Sequence, residues 1–419
     1  MSAFVEPSVE NQAKLAKEAS LELVSMEAHQ RNLALRMMAS ELLAGAGKIL
    51  DANRLDVEDS LRAGLPQPLI KRLALSPGKI NMMAKGLMEI GDLPEVVGEV
   101  VETLERPNGL VIRKVRVPFG VVGVIYESRP DVTSDAAGLC IKSANAVLLR
   151  GGKEALRTNK TICEALREGL QKAGVNPECI QLVADPDRTA ALKMMTMRDS
   201  IDLLIPRGGQ ALIKSVVENA KVPVIETGAG NCHAYVDSAA DLDMAEQIVV
   251  NAKCSNPAVC NAIETLLVHK DIANRFLPRI KAVLDSRGVR LRGCPITLKI
   301  LPEIEPATES DWETEYLDLI LAVKVVGSLE DAVNHINKYG TKHSETIVTQ
   351  DPRAAALFQA SVDAACVYVN ASTRFTDGNE FGYGAEMGIS TQKLHARGPM
   401  GARELTTYKY LINGVGQVR

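Results

Sequence analysis

From Gly120 onward the sequence alternates short apolar runs with longer stretches of helical periodicity. The helical stretches include residues 158–173 and 210–219. Because strands that alternate with helices usually pair in parallel, the pattern predicts an α/β fold whose sheet is covered by helices on both faces. Such sheets bind ligands in loops at the carboxyl ends of their strands, so we expect site residues there. The first predicted strands cover residues 121–126, 146–149, 180–183, 201–205 and 222–225.

A second series of strand candidates follows Gly228. The chain has 419 residues, more than one hydrophobic core normally supports, so two parallel-sheet domains are predicted. Residues 8–97 carry apolar side chains at helical spacing and are predicted to form several scaffold helices. The strand candidates of the second series cover residues 262–269, 319–326, 345–349 and 367–370, and a further candidate at 405–411 ends the chain.

Residues 97–117 have a different character, because two β-branched runs flank Arg106-Pro107-Asn108-Gly109. Asn-Gly between extended runs is a strong hairpin signal, and we expect positive φ at both turn positions. A long hairpin next to a helical region predicts an arm that packs elsewhere, including on a second subunit.

Composition and charge exclude several classes of protein. The formal net charge is −4 and no run of basic residues occurs, so nucleic acid is not an expected partner. No run of about 18 apolar residues predicts a membrane span, and residues 1–7 lack the features of a secretory signal. The eight cysteines form no Cys-x-x-Cys pair, which indicates reduced thiols and a cytoplasmic location. His233, His269, His335, His343 and His395 have no metal-ligand spacing, so no metal is expected.

Two residues are candidates for chemistry. Cys260 lies in a loop, marked by Asn256-Pro257, that leads into an apolar run. A thiol there can approach backbone N–H groups that favour the thiolate, the nucleophile of acyl transfer, although a buried structural cysteine is the commoner case. Glu226 follows the run 222–225 and precedes flexible glycines, so it is either a site carboxylate or a solvated loop residue.

Two glycine-containing turns are candidate phosphate sites. Arg207-Gly208-Gly209 follows a predicted strand and precedes a helix, where the backbone can approach an anion. Its spacing differs from the usual dinucleotide fingerprint, so alone it is a weak signal. Arg150-Gly151-Gly152-Lys153 also follows a strand, and a solvated turn explains it equally well.

These signals occur in the order of one family. Glu226-Thr227-Gly228-Ala229 and Cys260 are 34 residues apart, as are the glutamate motif and nucleophilic cysteine of the aldehyde dehydrogenase superfamily, which this chain resembles. Within it, the stretches 326–347 and 369–378 are similar to signatures of the gamma-glutamyl phosphate reductases. The resemblance covers nearly the whole chain.

The resemblance implies a three-part architecture and a reaction. It implies a cofactor-binding domain at 1–97 and 119–227, a catalytic domain at 228–403, and an oligomerisation element at 98–118 and 404–419. Cys260 would attack L-glutamyl 5-phosphate, expel phosphate and form a thioester, which NADPH reduces to glutamate 5-semialdehyde in proline biosynthesis. A homo-oligomer is expected, and glutamate 5-kinase is an expected partner because the acyl phosphate is labile.

The resemblance also assigns cofactor contacts. Arg150 takes the place of the family's ribose-binding lysine. Lys153 stands where NAD-using relatives carry a glutamate, and a cation there favours the 2′-phosphate of NADP. Arg207 with Gly208 and Gly209 corresponds to the pyrophosphate turn, and Glu315 corresponds to the glutamate that holds the nicotinamide ribose.

The substrate site is assigned less directly. The family's Pro-Trp-Asn-Phe-Pro segment is replaced by Glu127-Ser128-Arg129-Pro130, so its oxyanion asparagine does not carry over, and aligning Asn145 with it requires a gap. We expect Asn370 and Arg374 to hold the amino-acid end of the substrate, with Ser128 and Arg129 next in order. Two rivals stay open: a hydrolytic aldehyde dehydrogenase in which Glu226 activates water, and a non-catalytic binding protein on the same fold.

Overall fold

The computed structural model of the protein describes residues 7–419. Residues 1–6, which carry most of the inference that no secretory signal is present, lie outside the described part. The chain separates into two compact units. The first contains the chain up to Thr227 together with Gly382–Gly388 and Met400–Arg419, and the second contains Gly228–Phe381 and Ile389–Pro399. The domain boundaries expected from the sequence remain predictions beside this division.

Six of the fourteen helices of the described residues begin at a Ser or Asp cap whose side chain accepts a hydrogen bond from a backbone N–H of the first turn; the caps are Ser8, Ser76, Asp187, Asp241, Ser328 and Asp351. No helix among residues 7–419 is both long and apolar enough to cross a membrane. The helices are α1 Val9–Ser25, α2 Ala28–Ala44, α3 Ala46–Arg62, α4 Gln67–Leu73, α5 Pro77–Asp92, α6 Asp131–Lys142, α7 Leu156–Lys172, α8 Arg188–Thr196, α9 Gln210–Asn219, α10 Leu242–Cys254, α11 Lys270–Ser286, α12 Pro295–Ile300, α13 Leu329–Tyr339 and α14 Pro352–Ser361.

The strands of residues 7–419 fall into four sheets. Their bounds are β1 Val100–Glu105, β2 Val111–Pro118, β3 Val121–Tyr126, β4 Ala146–Arg150, β5 Ile180–Leu182, β6 Leu203–Arg207, β7 Cys232–Val236, β8 Ile263–His269, β9 Arg290–Gly293, β10 Glu305–Pro306, β11 Ile320–Val326, β12 Ser344–Val348, β13 Cys366–Val369, β14 Ile389–Ser390, β15 Gly398–Pro399 and β16 Thr406–Asn413.

The first unit is built on a parallel sheet of order β5-β4-β3-β6. Every residue of β3 is buried, as its apolar run predicts. The expectation of a full strand at 222–225 is wrong: Val224 forms only an isolated bridge to Leu204. Pro223 has no N–H to donate. Only its carbonyl takes part in the pairing with β6, where it accepts from the Leu204 N–H at 2.8 Å. The loops after β3, β4 and β6 leave the same edge of this sheet.

The second unit contains a seven-stranded sheet of order β10-β9-β11-β8-β7-β12-β13, in which every strand pairing is parallel. β7 and β8 lie side by side near its middle, and both are buried throughout. A helix-covered core packs on them, with Phe276 and Trp312 as its largest members. The predicted α/β architecture is therefore confirmed, while β7, β9 and β10 were not anticipated.

The predicted hairpin is confirmed as β1 and β2, and β16 pairs antiparallel with β2 to complete a three-stranded sheet. The expectation about its turn is wrong in one respect: Gly109 has φ of 85°, but Asn108 does not have positive φ. The Gly109 N–H donates to the carbonyl of Arg106 at 2.9 Å, so Pro107 and Asn108 form the turn and Gly109 takes the left-handed position after it. All six residues of β1 are exposed.

Candidate active site

Cys260 lies in a tight turn that precedes β8. The N–H of Ala262 donates to the carbonyl of Val259 at 3.1 Å, which closes the turn around Cys260 and Asn261. Cys260 is partly exposed, whereas five of the other seven cysteines are buried. The expectation of ligand loops at carboxyl ends does not hold for this residue, because the turn enters β8 and therefore lies at the amino end of that strand. The rule that ligands bind at the carboxyl ends of parallel strands applies to the crevices formed by crossover connections. It does not cover a nucleophile that lies in a turn before a strand.

The chain just before β7 supports this turn from behind. A Cβ on Gly230 would stand 1.5 Å from the carbonyl oxygen of Cys260, so only glycine fits there. Two residues later, the Cys232 thiol donates to that same carbonyl oxygen at 3.1 Å. β7 and β8 are paired from Cys232 and Ile263 onward, which brings the two preceding segments together.

Asn261, the residue after the candidate nucleophile, is held by the loop after β13. Its carbonyl accepts from the Thr373 hydroxyl at 2.6 Å, and its amide donates to the carbonyl of Thr376 at 2.9 Å. Arg374 donates to the side-chain oxygen of Asn261 and, through Nε, to the Ser255 hydroxyl at 3.0 Å. The structure thus brings Arg374 beside the Cys260 turn.

Asn370 lies elsewhere in the same loop. Its side chain accepts from the Thr349 N–H and donates to the Thr349 carbonyl, both at 2.9 Å, beyond the carboxyl end of β12. The contacts of Thr376 with Ser344 lie at the amino end of that strand. A strand of five residues spans about 16 Å at about 3.3 Å per residue, so this geometry favours Arg374 over Asn370 for contact with a substrate at Cys260.

Glu315 is also brought to the Cys260 turn. Its carboxylate accepts from the Gly230 N–H at 2.8 Å. The segment that carries it is anchored on a fully buried ion pair, in which Lys253 donates to Glu264 at 2.5 Å and the other oxygen of Glu264 accepts from the Leu317 N–H. Burial raises the pKa of Glu264 to about 7, against the opposing effect of Lys253, and burial lowers the pKa of Lys253.

Asp311 also holds the same segment, through the Tyr316 hydroxyl. Burial alone would raise the pKa of this carboxyl group, but hydrogen bonds from Tyr316, Thr308 and Arg292 hold that pKa well below its usual range. The Tyr316 hydroxyl and Arg292 both donate to it at 2.6 Å. The two residues after Glu315, Tyr316 and Leu317, are therefore each held by a buried carboxylate, which restricts where the Glu315 carboxylate can point.

In the first unit, carboxylates lie at the predicted cofactor loops. The N–H of Gly209, at the start of α9, donates to the Glu127 carboxylate at 2.8 Å. A Cβ on Gly208 would stand 2.5 Å from that same carboxylate. The turn 207–209 can therefore hold an anion, since a carboxylate of the protein already binds there.

The second glycine turn has a packing explanation. A Cβ on Gly151 would meet Asn159, and one on Gly152 would meet Glu154, in each case at 2.1 Å. Glu154 in turn accepts from both the backbone N–H and the hydroxyl of Ser128, at 2.8 and 2.6 Å. These glycines thus fit close packing, and they do not by themselves indicate a phosphate.

The predicted cations of this region differ in their surroundings. Arg150 is partly buried, donates to the carbonyl of Pro186 at 3.0 Å, and has its pKa lowered by burial. Lys153 is exposed. Arg207 is largely buried and pairs with Glu386 at 3.1 Å. Lys153 is therefore the cation of this group with most freedom to meet a ligand.

An acidic residue near Arg207 was not anticipated. Asp135 lies on α6, and burial, with the charge of Asp131 as a second cause, raises its pKa to about 8 despite the opposing charge of Arg207. Nothing in the local sequence distinguishes Asp135 from any other helical aspartate, so its burial is seen only in the structure.

The remaining candidates are placed as follows. Glu226 is partly exposed at the end of the first unit, and Arg129 is partly exposed before α6. Asn145 is fully buried; its amide donates to the carbonyl of Leu405 at 2.8 Å and accepts from the Gly120 N–H at 2.9 Å, which leaves it a structural residue. In residues 7–419 no group of three or more potential ligands could hold a metal ion.

Comparison with known proteins supports the resemblance. Residues 3–290 match the model of the aldehyde dehydrogenase family. The gamma-glutamyl phosphate reductase of Thermoanaerobacter pseudethanolicus is 55% identical over 411 residues, which cover 98% of this chain and 99% of that protein.

Solved structures agree. The crystal structure of gamma-glutamyl phosphate reductase from Thermotoga maritima superposes with a TM-score of 0.96 at 48% identity, covering 99% of this chain and 100% of that one. The Saccharomyces cerevisiae enzyme of the same name matches with a TM-score of 0.55 at 31% identity, covering 98% of each chain. The chain belongs to the aldehyde dehydrogenase family and, within it, to the gamma-glutamyl phosphate reductases.

Proposed function

We propose that this protein reduces L-glutamyl 5-phosphate to L-glutamate 5-semialdehyde, with NADPH as reductant and release of phosphate, in proline biosynthesis. The observation that carries the proposal is the Cys260 turn, supported from behind by Gly230 and Cys232, in a chain 55% identical over nearly its full length to a protein named gamma-glutamyl phosphate reductase.

The reaction divides into two steps at Cys260. The thiolate attacks the acyl carbon of the mixed anhydride, the bond from that carbon to the phosphate oxygen breaks, and phosphate leaves with the bonding electrons. A thioester of Cys260 remains. NADPH, when bound, supplies the hydride that reduces the thioester carbon. The resulting thiohemiacetal collapses to the aldehyde and returns the thiolate of Cys260.

The residues of the cofactor loops fit a dinucleotide. The N–H of Gly209 at the start of α9 already binds a carboxylate, and a pyrophosphate has the same charge sign and acceptor chemistry. Arg150, Arg207 and Gly208 belong to the same strand-end loops. Lys153 is the exposed cation proposed to read the 2′-phosphate, and Glu315 is proposed to hold the nicotinamide ribose.

The cofactor proposal is tested by reversing one charge. Lys153→Glu should weaken NADPH binding relative to NADH by about tenfold or more, because a charge-assisted contact contributes about 1.5–3 kcal/mol and the reversal adds repulsion. Fluorescence titration with both cofactors measures the ratio of the two dissociation constants. The matched control is Lys160→Glu, which reverses the charge of an exposed lysine on α7. An unchanged ratio would indicate that Arg150 or Arg207 binds the 2′-phosphate instead.

At the substrate end we propose Arg374 as the partner of the α-carboxylate, with Asn370, Ser128 and Arg129 as further candidates. Among these four residues Arg374 is the best candidate, because it lies beside Asn261, the residue next to the nucleophile. We also propose a cytoplasmic homo-oligomer that receives its labile substrate from glutamate 5-kinase.

The decisive experiment separates acyl transfer to phosphate from hydrolysis. Purified protein is given glutamate semialdehyde and NADP, with and without inorganic phosphate, and the product is identified. Phosphate-dependent formation of NADPH is expected, and Cys260→Ala should abolish it while leaving NADPH binding unchanged. Phosphate-independent formation of glutamate would instead indicate a hydrolytic enzyme in which Glu226 activates water, and failure to bind NADPH would indicate a non-catalytic protein.

A further inference from the structure

The signature stretch 326–347 contains buried polar residues that the proposed chemistry does not use. His335, His343 and Glu345 are each at most 4% exposed, and they lie on α13 and around the start of β12. Side chains of this polarity are expensive to bury unless they make specific hydrogen bonds. His343 makes contacts that lead directly to the Cys260 turn.

The first contact connects His343 with the nucleophile through Cys232. Cys232 Sγ lies 3.8 Å from His343 Nδ1 and donates to the carbonyl oxygen of Cys260 at 3.1 Å. Both Cys232 and His343 are fully buried. Burial raises the pKa of the Cys232 thiol well above its ordinary value, so the thiol keeps its proton and remains a donor.

The second contact fixes the orientation of His343. Its Nδ1 lies 2.8 Å from the Ser344 hydroxyl, which donates to Thr376 Oγ1 at 2.7 Å. A serine hydroxyl has one proton to give, so Ser344 accepts from His343, and the proton of the imidazole is on Nδ1. The directions of the hydrogen bonds are thus consistent from His343 to Thr376.

Thr376 joins this chain of contacts to the other side of the turn. Its carbonyl accepts from the Asn261 amide, and the nearby Thr373 hydroxyl donates to the Asn261 carbonyl at 2.6 Å. The carbonyls of Cys260 and Asn261 are therefore each held by a side chain, Cys232 in one case and Thr373 in the other. The turn is fixed at two consecutive peptide groups.

We infer that Cys232, His343, Ser344, Thr373 and Thr376 form a buried positioning network that fixes the backbone of the Cys260 turn and so the direction of the nucleophile. This inference rests on the proposed role of Cys260. All five residues are fully buried, so the network acts through the geometry of the turn. Small misplacements of a reacting group lower the reaction rate strongly, and the network restricts the same turn that packs against Gly230.

The test replaces the donor and then restores it. Cys232→Ala removes the S–H, whereas Cys232→Ser keeps a donor of similar size. We expect Cys232→Ala to lower kcat about tenfold with KM for glutamate semialdehyde within twofold of wild type, and Cys232→Ser to recover kcat to within threefold. Cys294→Ala is the matched control, because Cys294 is a buried cysteine of the same unit bonded to Thr297 instead.

A second readout does not depend on the substrate. The rate at which iodoacetamide alkylates Cys260 is measured against pH by mass spectrometry of its peptide. The midpoint of that profile should rise by at least about half a pH unit in Cys232→Ala and stay unchanged in Cys232→Ser, because a displaced turn stabilises the thiolate less. If wild type shows no turnover but this shift occurs, the proposed function fails and the network stands.

Several outcomes overturn the inference. They are wild-type kcat and alkylation profile in Cys232→Ala, a Cys232→Ser variant as slow as Cys232→Ala, or an equal loss in Cys294→Ala. If Cys232→Ala does not fold, Thr373→Val and Thr373→Ser test the other contact in the same way. Equal activity of those two variants then overturns it.

Discussion

At the scale of single residues, the candidate nucleophile is positioned by neighbours that have no chemistry of their own. Gly230 packs its backbone against the Cys260 carbonyl and gives its N–H to Glu315. One glycine thus contacts both the residue proposed to attack the substrate and the residue proposed to hold the nicotinamide ribose. Their geometry depends on a position without a side chain.

This close contact predicts a large effect of one methyl group. In Gly230→Ala the new Cβ would be placed 1.5 Å from the Cys260 carbonyl oxygen, so the turn must move. We expect kcat to fall at least about a hundredfold, since a shift of about 1 Å at reacting groups has that effect. Gly86→Ala, where nothing lies within 4 Å, is the control and should keep full activity. Retained activity in Gly230→Ala would mean that the turn accommodates the methyl group.

Arg374 gives a prediction about substrate affinity. A bidentate arginine–carboxylate pair that is partly shielded from water is stronger than a surface pair. Arg374→Ala should therefore raise KM for glutamate semialdehyde at least tenfold and leave NADPH affinity unchanged, and Arg374→Lys should recover part of the loss. Steady-state kinetics measure both, with the exposed neighbour Phe375→Ala as control. An unchanged KM would direct the search to Ser128 and Arg129.

Residue roles were accessible from sequence to very different degrees. Cys260, Glu315 and Arg374 lie in motifs whose types and spacing carry information, and the structure brings these three together around Gly230 and Asn261. Cys232 carried no signal, because its contact depends on β7 lying beside β8. A thiol that acts as a hydrogen-bond donor to a distant peptide group has no local pattern.

At the scale of elements, the apolar strand β3 was predictable from its own sequence and the strand β7 was not. β3 is a continuous apolar run, and its observed bounds are the predicted ones, 121–126. β7 begins with Cys232 and His233. His233 is buried, its backbone N–H donates to Glu345 on β12 at 2.6 Å, and its ring Nδ1 lies 3.1 Å from the same carboxylate oxygen. When a polar residue is buried against a partner on another strand, the sequence of its own strand shows no apolar pattern.

Helix α6 gives a prediction about stability and pH. The folded-state pKa of Asp135 is raised to about 8, first by burial, so between about pH 4 and pH 8 the folded protein holds a proton that the unfolded chain releases. Stability from this group is therefore present at low pH and is lost as the pH rises towards 8. The slope is at most about 1.4 kcal/mol per pH unit.

Asp135→Asn is neutral at every pH and should remove this dependence. The variant should melt at a higher temperature than wild type at pH 9, and the gap should close at lower pH. Differential scanning calorimetry across pH 5–9 measures it. Identical pH dependence in both proteins would mean that Asp135 is ionised throughout and paired with the charge of Arg207.

At the scale of the whole molecule, the hairpin and the end of the chain form a sheet with no core of its own. β1 is exposed along its length, and the apolar side chains of Val100, Leu104, Tyr410 and Ile412 are each at least 40% exposed. Exposed apolar side chains at this density are typical of surfaces that associate with another protein. A single chain gives this sheet little to pack against, which is the physical reason to expect a homo-oligomer.

The turn of this hairpin allows the expectation to be tested with two adjacent positions. Gly109 has φ of 85°, where a β-branched residue is strained, whereas Asn108 does not have positive φ. The turn is also joined to the end of the chain, because the Gln417 side chain donates to the Asn108 carbonyl at 2.9 Å, and a Cβ on Gly109 would stand 3.1 Å from that same amide. Gly109→Val should therefore shift the protein towards smaller species in size-exclusion chromatography with light scattering, and Asn108→Ala should leave assembly unchanged. Equal disruption by both variants would indicate that both turn positions need positive φ, and an unaltered assembly in Gly109→Val would mean that this sheet does not hold the subunits together.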